Sequence, residues 1–279
     1  MQISGSVALV TGANRGLGLA FSRELVRRGA AKVYGAARNP AAVTEPGVLP
    51  VALDITDGDQ VERVAAQCAD VSLLVNNAGV LRYSTFTSAP DPDAARQEME
   101  TNYFGTLRMC RAFAPVLAAA GGGAIVNMLS VTSFFTNPFD ASYGASKAAE
   151  WSLTNGVRLE LHHQGTLVVA VHAGFIDTEM AALTDAPKIS PESVAAQVFD
   201  AVEAGQVEAW PTSGPGTSRP SCPATTSSST RPSRNSGTPR SAVPADPARR
   251  GADRFPGSVG RRPARFTVGG GRANAAQRR

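Results

Sequence analysis

Val7-Ala8-Leu9-Val10-Thr11-Gly12-Ala13-Asn14-Arg15-Gly16-Leu17-Gly18 is the stretch on which the fold turns. Four apolar residues in a row read as a short buried strand. The helical pattern Leu19, Phe21, Leu25, Val26 follows and stops at Gly29. Between them lies a glycine-rich turn spaced G-x-x-x-G-x-G, not the common G-x-G-x-x-G. Strand, glycine turn and helix together are the context a dinucleotide needs. The glycines permit the tight bend and bring backbone N–H groups at a helix N-terminus up to a pyrophosphate.

A second signal lies in Ser142-Tyr143-Gly144-Ala145-Ser146-Lys147. Four positions are one helical turn, so the Tyr143 phenol and the Lys147 ammonium face the same way. A neighbouring cation favours phenolate and lowers a tyrosine pKa from about 10 towards neutrality, which suits proton exchange with an alcohol. Ser130 closes the apolar run Ala124-Ile125-Val126-Asn127-Met128-Leu129. A strand there would put its hydroxyl at the strand end, ready to hold a carbonyl oxygen. Tyr-x-x-x-Lys alone occurs on many helices by chance.

Further segments agree in order along the chain: LDIT (53–56), NNAG (76–79) and TNYFGT (101–106). With TGANRGLG (11–18), Ser130 and YGASK (143–147), the sequence resembles the short-chain dehydrogenase/reductase family over residues 1 to about 209. The resemblance implies one Rossmann-like domain, a doubly wound parallel α/β sheet, that binds a nicotinamide cofactor. It implies a catalytic tetrad of Asn102, Ser130, Tyr143 and Lys147. It assigns cofactor contacts to Gly12, Asn14, Arg15, Gly16, Leu17 and Gly18 in the glycine turn. Asp54 and Ile55 fall at the adenine, and Asn77, Ala78 and Gly79 at the cofactor ribose. Tyr143 and Lys147 contribute again. Gly174, Ile176 and Thr178 fall on the nicotinamide side. No metal is implied.

The second strand ends Ala36-Ala37-Arg38. An acid there would bond the ribose 2′-hydroxyl of NAD. Ala37 stands in its place and Arg38 follows, with Arg15 in the glycine turn able to approach the same spot. Planar guanidinium forks suit a 2′-phosphate, so the expected cofactor is NADP rather than NAD. One departure concerns Val171-His172-Ala173-Gly174, where the family usually has Pro-Gly. Ala173 leaves that turn less rigid by backbone entropy. The leading expectation is an NADP-dependent oxidoreductase interconverting a carbonyl and an alcohol on a small apolar substrate. The alternative is a catalytically weak NADP-binding protein with a degenerate C-terminus.

Strands are expected near 6–11, 32–37, 49–53, 71–75, 123–129 and 167–172, and helices near 16–28, 57–68, 93–119, 142–164 and 191–204. Such alternation gives a parallel sheet with its ligand crevice at the carboxyl ends of the strands. Loops 80–92, 131–141 and 175–189 should surround it with Leu81, Tyr83, Phe134, Phe135, Phe139, Phe175 and Met180. Met1 to Ser6 leads straight into the first strand, with no signal peptide and no apolar run of membrane-span length, so a cytoplasmic protein is expected. Cys68, Cys110 and Cys222 read as reduced thiols, and His162, His163 and His172 as structural.

The net charge of +4 conceals two halves. Residues 1–209 hold 14 Lys+Arg against 21 Asp+Glu, whereas residues 210–279 hold 13 Arg, no Lys, and only Asp246 and Asp253 as acids. From Pro211 onward there is no Leu, Ile, Met, Tyr, Lys, Glu or His. Such a composition buries too little apolar area to offset its ordering entropy, so 210–279 is expected to be a disordered tail. Its charge would permit nucleic-acid binding, a reading ranked below the enzyme. The composition matches amino acids written by GC-rich codons. Read one base out of frame, Trp210 onward becomes VADERTRNVKAILPGDH under suitable codons, with charged helix formers and spaced apolar residues. A frameshift near codon 209 is the hypothesis, and DNA resequencing tests it. Loss of the last strand would leave a homodimer where relatives form tetramers.

Overall fold

The computed structural model describes residues 1–213. Seven strands form one parallel sheet: β1 Val7–Thr11, β2 Lys32–Ala37, β3 Val48–Ala52, β4 Leu73–Asn76, β5 Gly123–Met128, β6 Thr166–Val171 and β7 Glu208–Ala209. Their order is β3-β2-β1-β4-β5-β6-β7. The helices are α1 Gly16–Arg27, α2 Gly58–Gln67, α3 Ala94–Glu98, α4 Thr106–Ala119, α5 Ala141–Glu160 and α6 Pro191–Glu203. This is the single doubly wound α/β sheet expected from the alternation of apolar runs.

Both faces of the sheet are covered, and side-chain alternation sorts the strands between two cores. Ala8, Val10, Leu73, Val75, Ala124, Val126, Val169 and Val171 face α1 and α6. Leu9, Leu74, Ile125 and Val168 face α2, α4 and α5. Phe21 and Phe199 meet edge to face at 5.4 Å where α1 and α6 pack. Arg28 fastens the same pair, with bonds to Glu24 (2.7 Å), Asp200 (2.7 Å) and Glu203 (2.8 Å). The chain leaves β1 towards β2 on one side and reaches β4 on the other. That reversal opens a crevice at the carboxyl ends of β1 and β4, the switch point at which such sheets bind ligands.

Two elements differ from the sequence expectation. The helix expected over 93–119 is broken: a π-helical stretch, Met99–Gly105, separates α3 from α4. The wider turn lets Gly105 lie against Ile55, where an added Cβ would come within 2.7 Å of Ile55 Cδ1. It also turns Asn102 inward. Such stretches concentrate at functional sites.

The second difference is β7, two residues paired in parallel with Ala170 and Val171. Packing continues past the boundary expected at 209. Trp210 stacks on His172 at 4.3 Å, Pro211 is buried, and Thr212 exchanges two hydrogen bonds with Gln197. The expected disordered tail, from residue 214 on, lies outside the described residues, as does Cys222. Among the described residues no helix is long and apolar enough to cross a membrane.

Candidate active site

The glycine turn is packed too closely to admit side chains at Gly12, Gly16 and Gly18. Gly12 and Gly16 hold positive φ angles of 68° and 53°, which favour glycine. Gly18 has no space for a side chain, because an added Cβ would lie 2.0 Å from the Gly12 carbonyl oxygen. Arg15 is the N-cap of α1 and caps no backbone N–H with its side chain. The first N–H groups of the helix thus face the crevice mouth without a side-chain cap, the arrangement that receives phosphate. Asn14 is half-buried beside them, and Leu17 anchors the turn in the core.

Thr11 ties this turn to the NNAG segment across the switch point. Its hydroxyl oxygen accepts the N–H groups of Asn77 (2.9 Å) and Ala78 (3.0 Å), and the Asn77 amide donates to the Thr11 carbonyl at 2.8 Å. Gly79 then passes over Asn102 and Lys147: an added Cβ there would lie 3.1 Å from Asn102 Oδ1 and 3.8 Å from Lys147 Nζ. On the outer side, Asp54 accepts from Thr56 N (2.9 Å) and Thr56 Oγ1 (2.7 Å), and Ile55 is buried behind it. Arg38 stands exposed at the end of β2. Beyond β6, the Ala173 carbonyl accepts from Val131 N at 3.1 Å, Gly174 is exposed, and Ile176 pairs with Ile189. Thr178 sits against Gly16, and its neighbour Glu179 pairs with Arg15 at the surface.

Asn102, Ser130, Tyr143 and Lys147 converge at the carboxyl end of β5. Asn102 is buried and its amide is fully committed: Oδ1 accepts from Val80 N (2.8 Å), and Nδ2 donates to Val80 O and to Ser146 Oγ (both 2.9 Å). Ser130 Oγ accepts from Thr132 N (3.2 Å) and Thr132 Oγ1 (2.9 Å), and Ser130 lies near enough to the Tyr143 phenol to favour its ionised form. Lys147 Nζ lies 5.8 Å from the Tyr143 ring centre and donates to Met128 O (2.6 Å) and Glu150 Oε2 (2.7 Å).

The electrostatics differ from the sequence expectation. Burial pushes the Tyr143 phenol above its ordinary value; the Lys147 cation opposes this and the Glu150 carboxylate reinforces it. The expected lowering by Lys147 is thus outweighed in this geometry. Burial disfavours the Lys147 ammonium, but attraction to Glu150 and Tyr143 overcomes it and holds its pKa above the ordinary lysine value. Glu150 was not visible in the sequence as part of the site, because a Lys and a Glu three apart on a helix read as a solvated surface pair. Thr11, Thr132 and Ser146 were likewise missed as supports; short hydroxyl side chains carry no spacing signal.

The surrounding loops divide. Tyr83 holds a positive φ of 49° and donates its hydroxyl to Met180 O at 2.5 Å, so loops 80–92 and 175–189 touch. Phe135, Phe139, Phe175 and Met180 are exposed. Phe134 is not: it packs with Trp151 (4.6 Å), His172 (4.8 Å) and Trp210 (5.5 Å), so it anchors its loop rather than lining the crevice.

A family model described as short chain dehydrogenase matches residues 6–188. A sorbitol dehydrogenase of Cereibacter sphaeroides is 36% identical over 193 residues, 64% of this chain and 73% of that protein. A 1-deoxy-11-beta-hydroxypentalenate dehydrogenase of Streptomyces exfoliatus is 34% identical over 223 residues, 72% of this chain and 81% of the relative. The crystal structure of a short chain dehydrogenase from Burkholderia cenocepacia J2315 in complex with NADP is 46% identical. It aligns with a TM-score of 0.74 over 76% of this chain and 90% of that one.

Thr11→Val keeps the shape of the turn and strands two partly buried N–H groups, those of Asn77 and Ala78, each worth about 1–3 kcal/mol when left unmade. A urea titration of the variant is expected to show a loss of about 2–4 kcal/mol. A loss below about 0.5 kcal/mol, the range of a neutral surface change, would mean that Thr11 does not hold the two segments together.

Proposed function

The chain belongs to the short-chain dehydrogenase family, NAD(P)-dependent oxidoreductases acting on CH–OH groups, and from that premise we propose that it uses NADP to interconvert a carbonyl and an alcohol on a small apolar substrate. The observation that carries the reading is the meeting of Ser130, Tyr143 and Lys147 beside a glycine turn with no room for side chains. The residues fit the cofactor: Gly12, Gly16 and Gly18 let the turn pack closely against Asn77, Thr178 and its own backbone, the start of α1 carries no side-chain cap and so is left for a pyrophosphate, and Gly79 lies beside Lys147.

NADPH, bound there, supplies the hydride. Ser130 holds the carbonyl oxygen with the hydroxyl proton that Thr132 leaves available, since both Thr132 donors are already directed at Ser130 Oγ. Tyr143 gives its proton to that oxygen as the alcohol forms, and takes it back in the reverse direction. Lys147 stabilises the phenolate left on Tyr143 and would also hold the nicotinamide ribose. Asn102 shapes the site by tying Val80 to Ser146, which leaves the main chain of its π-helical stretch to hold a relay water. Arg38, exposed at the end of β2, would hold the 2′-phosphate. Arg15 is free to join it, because its exposed pair with Glu179 is worth only about 0–1 kcal/mol.

The rival reading, a cofactor binder with little turnover, rests on Ala173 in place of proline. Against it, the carbonyl of Ala173 is bonded to Val131, and Asp177 N and Ile189 N bond across the following loop at 2.9 Å each, so hydrogen bonds supply the rigidity that the proline would.

Tyr143→Phe keeps the ring and removes the acid. NADPH oxidation against a panel of ketones is expected to fall on the order of 10²–10⁴-fold, with NADPH affinity retained. Near-normal turnover would remove Tyr143 as proton donor. Arg38→Ala is expected to weaken NADPH binding at least about tenfold, one good phosphate contact, while NADH binding changes little. Equal losses for the two cofactors, read by fluorescence titration, would show that Arg38 does not read the phosphate.

A further inference from the structure

The Tyr143–Lys147 pair does not stand alone on its helix. α5 carries Tyr143, Lys147 and Glu150 at i, i+4 and i+7, a spacing that keeps all three on one inward face. Glu150 is 1% exposed and Lys147 5% exposed. Glu150 Oε2 accepts from Lys147 Nζ at 2.7 Å, and Oε1 accepts from Thr106 Oγ1 of α4 at 3.1 Å. A carboxylate this deep costs several kcal/mol of lost hydration, which only good pairing offsets. Of the three N–H donors on Lys147, two are given to Met128 O and Glu150, so the ammonium is held by acceptors on β5 and α5 while it faces Tyr143.

We propose that Glu150 is a positioning residue for the reacting pair: its buried carboxylate keeps Lys147 charged and in place, and sets the pH at which Tyr143 and Lys147 together release their first proton. This rests on the reading of Tyr143 and Lys147 as the reacting pair. A fully buried lysine without a partner loses up to about 3–5 pKa units, and Glu150 is the counter-charge in direct contact that prevents this. The same carboxylate works against ionisation of the phenol. With Glu150 ionised, the set Tyr143–Lys147–Glu150 passes from net charge zero to −1 when one proton leaves. With a glutamine in its place, it passes from +1 to zero.

Removal of the carboxylate charge therefore eases the first deprotonation wherever the remaining proton rests, on tyrosine or on lysine, so the sign does not depend on how the two share it. The other charged and titratable groups near the pair do not reverse it. Asp140, in the turn before α5, acts on Tyr143 in the same direction as Glu150 but more weakly, and Glu98 on α3 acts on Asp140. Cys110 on α4 stays a neutral thiol, pushed up to about 12 by burial.

The test is a carbon NMR titration of the apo protein that follows the Tyr143 ring and the Lys147 side chain together, each assigned with the Tyr143→Phe and Lys147→Arg variants, in the wild-type and Glu150→Gln backgrounds. The midpoint read is that of whichever of the two groups releases its proton first. The midpoint is expected to fall by at least about one pH unit in Glu150→Gln, the shift typical of a neighbouring charge. The acid limb of the kcat/KM profile for alcohol oxidation should move by the same amount. If Glu150→Gln does not fold, Glu150→Asp takes its place: its carboxylate is drawn back by one methylene, and the midpoint falls by a smaller step. An unchanged or higher midpoint in a folded variant would overturn the proposal and leave Glu150 a structural residue. The titration needs no substrate, so a protein that reduces no ketone counts against the reaction and still decides the role of Glu150.

Discussion

A buried ammonium is the constraint around which this protein is assembled. Lys147 is charged and almost wholly removed from water, which is tolerable only if every side of it is answered. The Met128 carbonyl answers from β5, and Glu150 from the same helix. Glu150 is in turn held by Thr106 at the start of α4, and Thr154 bonds both the Glu150 carbonyl and Asn127 on β5. Through this one charge α4, α5 and β5 are locked in register. The result is a cation fixed beside Tyr143, the placement that the proposed proton chemistry on an alcohol needs.

The other half of the site depends on close approach rather than charge. A parallel sheet that reverses direction between β1 and β4 leaves a crevice, but a crevice binds a dinucleotide only if backbone can line it. Gly12, Gly16, Gly18 and Gly79 supply that backbone, and the hydroxyl of Thr11 keeps the two glycine-bearing segments together. The π-helical stretch at 99–105 serves the same end. It turns the Asn102 amide into the gap between Val80 and Ser146, and so ties the segment over the cofactor crevice to the helix that carries Tyr143.

What could be read from the sequence follows from which interactions are local. Strands β1 to β6 were legible because each is a short, largely apolar run, β7 was not because Glu208–Ala209 is too short to carry one, and the glycine turn was because positive φ leaves a residue signature. Tyr143 and Lys147 were legible because their spacing is one helical turn. The break at Met99–Gly105 was not, since the run 93–119 keeps helical composition throughout and the close packing of Gly105 against Ile55 comes from outside it. Glu150 was hidden because the same i,i+3 pattern serves exposed pairs, and only the fold decides that it is buried. Trp210 fell on the wrong side of an expected boundary because its partner, His172, is distant in sequence, and composition after Pro211 dominated the local signal.

The central claim is that this site delivers hydride to a carbonyl carbon. The most direct measurement is incubation of the protein with NADPH deuterated at the transferable position of the nicotinamide and a series of aliphatic and aryl ketones, with the products read by mass spectrometry. The account predicts one deuterium on the carbinol carbon of the alcohol formed, in one stereochemical sense, and none in a sample lacking the protein. Tight binding of NADPH with no deuterium in any product would contradict it and favour a protein that holds the cofactor without using it.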